Sequence, residues 1–111
     1  MARVLRGDIR WADFGKPSGH EQGGQRPVLV LSNDVFNDRS ETIIGVALTS
    51  KEPIAVFPLA LEIKSVQLPK RSWVRIGQVR TFSMQRMGQR LGVASPEELE
   101  MVVEGLNEII G

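Results

Sequence analysis

Residues 20–33 read His-Glu-Gln-Gly-Gly-Gln-Arg-Pro-Val-Leu-Val-Leu-Ser-Asn. An imidazole, a carboxylate, a pair of glutamines and a guanidinium crowd around a double glycine, and the chain then enters an apolar run through Arg26-Pro27. Such groups move protons and hold anions, so phosphate chemistry is what this set would perform. Loops mounted on rigid strands are where function usually sits. A Gly-Gly step with polar flanks also makes an ordinary surface turn, and loop chemistry alone leaves both readings open.

The segments that must position this loop are short. Residues 7–14 read as a first strand with Ile9 and Trp11 on its apolar side, ended by Gly15-Lys16-Pro17-Ser18-Gly19. Residues 27–31 form an apolar run suited to a well-buried strand. Asn33-Asp34 caps a single helical turn reaching Asn37. Residues 42–49 are β-branched and apolar, a central strand, and residues 55–61 read as another, with Pro58 marking an edge or bulge. Residues 68–71 are a turn, and residues 72–82 alternate as one strand, Trp73, Arg75, Gly77, Val79 and Thr81 against Val74, Ile76, Gln78, Arg80 and Phe82. Ser95-Pro96-Glu97-Glu98 is a capping box with proline at the first helical position. Leu99, Val102, Val103, Leu106 and Ile110 then recur on one helical face. Short strands closed by one amphipathic helix give a mainly β, α+β fold: a small twisted barrel or sheet in a single domain spanning 1–111.

Composition narrows the chemistry. The chain has 111 residues and no cysteine, which removes disulfides, thiolate metal sites and cysteine nucleophiles. No signal-peptide core or membrane-length apolar run is present, so a cytoplasmic protein with no membrane contact is expected. Net charge is only +1, but it is segregated. Residues 63–96 hold no acid and carry Lys64, Lys70, Arg71, Arg75, Arg80, Arg86 and Arg90; Glu97, Glu98, Glu100, Glu104 and Glu108 follow without a base among them. A basic stripe favours a polyanion, and arginine's planar fork suits phosphate. A solvated surface whose arginines pair with the terminal glutamates is the alternative. Trp11 and Trp73 are expected in the core or an interface between copies rather than as base-stacking platforms.

The order of these pieces resembles the MazF/PemK/Kid family of toxin endoribonucleases. The resemblance rests on Arg6-Gly7-Asp8, Gly19-His20-Glu21-Gln22-Gly23-Gly24, Arg26-Pro27-Val28-Leu29-Val30, Ser32-Asn33, Phe36-Asn37, Leu48-Thr49-Ser50, Gln78-Val79-Arg80-Thr81 and Ser95-Pro96-Glu97-Glu98-Leu99, spread over most of the chain. It implies an SH3-like barrel of the MazF/Kid/CcdB type, used as a homodimer. It also implies metal-independent, cofactor-free, sequence-selective cleavage of single-stranded RNA to 2′,3′-cyclic phosphate and 5′-hydroxyl ends. The implied partner is an antitoxin whose acidic, flexible tail folds on binding, with DNA reached only through that antitoxin.

By the same resemblance Arg26 is the loop-end arginine that grips phosphate, and Thr49 holds the scissile group. Gln22, Arg75, Gln78, Arg80 and Thr81 contact RNA, with Arg86 from the basic stripe beside them. His20, the chain's one histidine, titrates near neutral pH. Glu21 is a base, a holder of loop amides or an orienter of Arg26. Some relatives carry an acid where this chain has Gly77. Glycine accepts no proton, which moves the base role toward Glu21 or His20 or leaves catalysis to Arg26 and positioning. On an ideal strand Arg75 and Arg80 face opposite sides and reach one phosphate only if a bulge at Gly77 re-aims one of them. The rival functions are a non-cutting toxin of the CcdB kind that grips a gyrase, and a nuclease-dead binder.

Overall fold

The computed structural model describes residues 3–15 and 24–111. His20, Glu21 and Gln22 lie outside them. The elements are β1 (Asp8–Asp13), β2 (Gln25–Val30), α1 (Asp34–Ser40), β3 (Thr42–Thr49), β4 (Ala60–Ile63), β5 (Ser72–Arg75), β6 (Arg80–Ser83), β7 (Met87–Val93) and α2 (Pro96–Ile110). All strand pairs are antiparallel, in the order β4-β5-β3-β2-β1-β7, with β6 also pairing β3. The fold is therefore mostly antiparallel sheet with a C-terminal helix, as expected.

The unbroken Val28-Leu29-Val30 run is explained by two cores on opposite faces. Leu29 joins Ile9, Val46, Leu48, Val74, Ile76, Leu99 and Val102 under α2. Val28 and Val30 join Ala12, Ile43 and Phe82 on the other side, with Phe14 and Ala47 packed against them. Alternation along a strand sends neighbours to opposite faces, so a strand buried on both sides loses its polar half. A buried ion pair ties the edge of the sheet: Arg10 Nε lies 3.0 Å from Asp8 Oδ2, and Arg10 also donates to the carbonyls of Gly88 and Arg3. Asp8 is only 1% exposed, so full hydrogen bonding is what makes its burial tolerable.

Three expectations need correction. Residues 55–61 are not one strand: the Leu59 N–H turns back onto the Val56 carbonyl at 2.9 Å and Pro58 has no N–H to give a ladder, so pairing begins only at Ala60. Residues 72–82 are not one strand either, because a 3₁₀ turn, Ile76–Gln78, separates β5 from β6. The helix capped by Asn33 runs past Asn37 to Ser40 and stops at Glu41, whose φ of 60° is left-handed. Buried Asn37 explains why it continues: its amide nitrogen donates to the carbonyls of Val4 and Ser32, fastening the helix to the N-terminal segment.

One strand escaped the sequence altogether. β7, Met-Gly-Gln-Arg-Leu-Gly-Val, contains two glycines and no sustained alternation, and pairs β1 with register shifts. Gly92 is where the 64–71 connection crosses it: a Cβ there would stand 2.5 Å from Val66 Cγ1.

The C-terminal helix forms as the capping box dictates. Ser95 Oγ accepts from Glu98 N at 3.1 Å, and the Glu98 carboxylate accepts from Ser95 N at 3.4 Å. Glu98 also accepts from Lys64 N at 2.7 Å and from the Ser65 hydroxyl, stapling the helix to the end of β4. Leu99 and Val102 are buried, whereas Ile110, in the last turn, is 73% exposed. Gly105 shares the buried face, and a Cβ there would meet Ile76 Cδ1 at 2.8 Å and the Pro58 carbonyl at 2.9 Å. The helix thus sits directly on the 3₁₀ turn.

Gly105→Ala should destabilise the protein by about 1–3 kcal/mol through overpacking, although alanine is the better helix former by about 1 kcal/mol; chemical denaturation measures the sign. Burial pushes the Glu98 carboxyl up, but hydrogen bonds from Ser65, Lys64 and Ser95 outweigh it and hold it below its ordinary value. Its contribution is complete above the ordinary carboxylate pKa of about 4.3 and disappears as pH falls through the lower, folded value. The stability gap between wild type and Glu98→Gln should therefore be largest near neutrality and close as the solution is acidified.

Candidate functional site

A polar cavity of about 680 Å³ opens on the face of the second core. Arg26 of β2, Arg75 of β5, Arg80 of β6, Arg86 and Lys51 bring five cations to its wall. Thr49, Gln78, Phe14, Phe82 and Asp13 complete it.

The gathering of Arg75 and Arg80 follows from strand register. Gly45 pairs with Arg80 and Leu48 with Val74, so β3 advances three residues while its partner advances six. The three extra residues are the 3₁₀ turn Ile76–Gln78. Five positions apart, the arginines would face opposite ways on a continuous strand; with three residues looped out they stand an effective two apart and share a face. The device is a 3₁₀ turn rather than a bulge, and it puts Gln78 on the same wall. Ile76, fully buried under α2, pins it.

Arg26 lies one strand away, paired in β2 with Ala12 of β1. Its side chain is half-buried, one nitrogen donates to the Leu48 carbonyl at 3.3 Å, and its carbon Cζ lies 5.2 Å from the Phe14 ring centroid. Burial lowers the Arg26 pKa; the intrinsic value is so high that the guanidinium stays charged. Among the described residues no carboxylate forms a salt bridge with Arg26, Arg75, Arg80 or Arg86. Arg71 and Arg90 differ: they pair with Glu62 at 3.0 Å and Asp8 at 3.8 Å. The terminal glutamates neutralise none of the basic stripe, since Glu98 is spent on the helix cap. Thr49 Oγ1 accepts from Lys51 N at 3.1 Å, leaving its hydroxyl hydrogen to donate elsewhere. Arg86 reaches across to the Asp13 carbonyl at 3.0 Å and joins the β6–β7 connection to the end of β1.

Arg26, Thr49, Arg75, Gln78, Arg80 and Arg86 therefore converge. Thr81 does not line the cavity: it pairs with Ile44, one position off the Arg80 and Phe82 face. Gly77 is no strand glycine. It sits in the 3₁₀ turn, and a Cβ there would touch only Ile109 Cδ1 at 3.9 Å, so a side chain would fit. Lys51, Phe14 and Asp13 were missed. The hairpin neck that carries Phe14 and Asp13 is readable only once Phe14 N is seen to donate to the Gly24 carbonyl at 2.8 Å. Trp73 is buried and lies beneath the Arg71 guanidinium at 4.9 Å, a packing role as expected.

Residues 5–110 match the family described as PemK-like, MazF-like toxin of type II toxin–antitoxin systems. The chain belongs to that family. Among solved structures, MazF from Deinococcus radiodurans is 26% identical with a TM-score of 0.82, covering 100% of this chain and 99% of that one. The same organism's MazE–MazF complex gives 25% identity and a TM-score of 0.83, with 100% and 98% covered. An endoribonuclease in complex with its cognate antitoxin, from a mycobacterial species, is 22% identical with a TM-score of 0.78, covering 100% and 96%. This protein is thus a MazF-type toxin of a toxin–antitoxin system, and no helix among its described residues is long and apolar enough to cross a membrane.

Proposed function

We propose that this toxin is an endoribonuclease whose cationic cavity binds a single RNA strand and cuts it without a metal ion. The observation that carries the reading is the convergence of Arg26, Arg75, Arg80 and Arg86 around Thr49 and Gln78, with none of the four arginines salt-bridged among the described residues. Unpaired guanidiniums keep their forks for phosphate oxygens.

In the proposed reaction the ribose 2′-oxygen attacks the adjacent phosphorus while the bond from phosphorus to the 5′-oxygen breaks. The 2′-hydroxyl gives up a proton to a base, the leaving 5′-oxygen gains one, and the products are a 2′,3′-cyclic phosphate and a 5′-hydroxyl. Arg26 donates to the non-bridging oxygens as charge builds on them, and the Thr49 hydroxyl holds the same phosphate. Glu21 and His20 are the sequence's candidates for moving the proton, and Gln22 for a further RNA contact. Arg75, Gln78, Arg80 and Arg86 hold the flanking strand, whose unstacked bases expose their edges. A cognate antitoxin with an acidic tail would compete for the same cations. The active form is a cytoplasmic homodimer, and DNA is met only through the antitoxin. The gyrase-gripping alternative is not favoured: the family model and the solved relatives above are of the MazF kind.

Purified chain incubated with mixed RNAs in EDTA should yield fragments with 5′-hydroxyl ends, and Arg26→Ala should lower the rate about 10²–10³-fold with the fold retained. An unchanged rate in folded Arg26→Ala would remove Arg26 from the site. Arg75→Ala and Arg80→Ala should each weaken RNA binding and flatten the plot of log affinity against log salt by about 0.7. Arg90→Ala, outside the cavity, should leave that slope unaltered.

A further inference from the structure

We propose that Phe14 is a positioning residue for catalysis: its ring holds the Arg26 and Arg80 guanidiniums at the cavity wall without itself occupying their hydrogen-bond donors, so that those not already spent, as one of Arg26 is on the Leu48 carbonyl, can meet phosphate. This rests on the endoribonuclease reading and adds to it the device that keeps the cations in place.

Two closely set positive charges in a half-buried cavity ordinarily demand a carboxylate. Among the described residues the carboxylate on the wall, Asp13, forms no salt bridge with either arginine, and aromatic rings stand against both. The Arg26 Cζ lies 5.2 Å from the Phe14 centroid and the Arg80 Cζ 6.0 Å from the same centroid, while the Phe82 ring stands 4.8 Å from Arg80. The negative face of a ring attracts a guanidinium without accepting its N–H hydrogens in directed bonds. A carboxylate would take two of those hydrogens and cancel the charge that a phosphate must meet.

Phe14 is suited to the task by its mounting. Its backbone N–H donates to the Gly24 carbonyl at 2.8 Å, and Gly24 N–H returns to the Gly15 carbonyl at 2.7 Å, closing the neck of the β1–β2 connection. Its ring meets Phe82 edge-on, centroids 5.7 Å apart and planes at 78°, which fixes its tilt. Phe82 is core, 3% exposed, whereas Phe14 is only half-buried at the rim of that cluster. Position 14 can therefore be altered with less cost to the fold than position 82.

The test replaces the ring's electrostatics while keeping its shape. Full-length protein carrying 3,4,5-trifluorophenylalanine at position 14 retains the packing but loses the negative face. Phe14→Leu removes the ring, and Phe14→Tyr restores a negative face. In cleavage of mixed RNAs in EDTA over a range of RNA concentrations, the fluorinated protein and Phe14→Leu should lose about tenfold in kcat with a smaller change in KM, and the fluorinated protein should keep the wild-type thermal midpoint. Phe14→Tyr should cleave near the wild-type rate. In NMR spectra of the free protein, the Arg26 and Arg80 Nε–H resonances should move on fluorination. Equal rates and unmoved resonances across the series would overturn the proposal, as would a loss in Phe14→Leu that folded Phe14→Tyr shares. The NMR arm decides the positioning role even if wild type fails to cut RNA, an outcome that would instead overturn the endoribonuclease reading.

Discussion

Three residues looped out between β5 and β6 govern the rest of this molecule's surface chemistry. Strand geometry allows only two faces, so side-chain placement depends on whether residues are counted in odd or even steps. The Ile76–Gln78 turn converts an odd separation into an even one and brings Arg75 and Arg80 to the wall that also carries Arg26 and Thr49. The turn is held from behind, by Ile76 inserted into the core under α2 and by the missing side chain of Gly105. Helix packing on one face of the sheet therefore sets the electrostatics of the other.

The cavity's charge is concentrated by the same architecture. Several carboxylates have structural duties away from the cavity: Asp8 in a buried pair with Arg10, Glu62 against Arg71, Glu98 in the cap of α2. Among the described residues, the cavity arginines are held by rings and by the backbone carbonyls of Leu48 and Asp13, with no salt bridge to a carboxylate. A near-neutral chain thus presents a strongly cationic concavity, and such a concavity in a low-dielectric wall focuses its field on an incoming polyanion.

Gly77 has a different meaning in three dimensions. Read along the chain, it looks like a strand position from which the acid of some relatives is missing. In the fold it sits in a turn with room for a side chain, so neither space nor backbone conformation demands glycine there. In the proposed reaction the proton would be moved by groups outside the 3₁₀ turn, since Gly77 offers none.

Local physics made much of the fold legible in the sequence. The Ser95 cap, the apolar face of α2, the buried β2 and β3 runs and the Asn33 cap each depend on residues within a few positions of one another. Arg26 and Thr49 were legible for another reason: an ordered set of motifs matched a known family. Tertiary structure alone decided what depends on partners far along the chain. β7 exists because β1 supplies its ladder, the strand expected at residues 55–61 starts only at Ala60, and Ile110 is left exposed at the helix's last turn. Thr81 missed the cavity because the face a strand residue occupies is settled by register against its neighbour, and Phe14 entered it because the hairpin neck past the end of β1 holds it there; no local pattern encodes either.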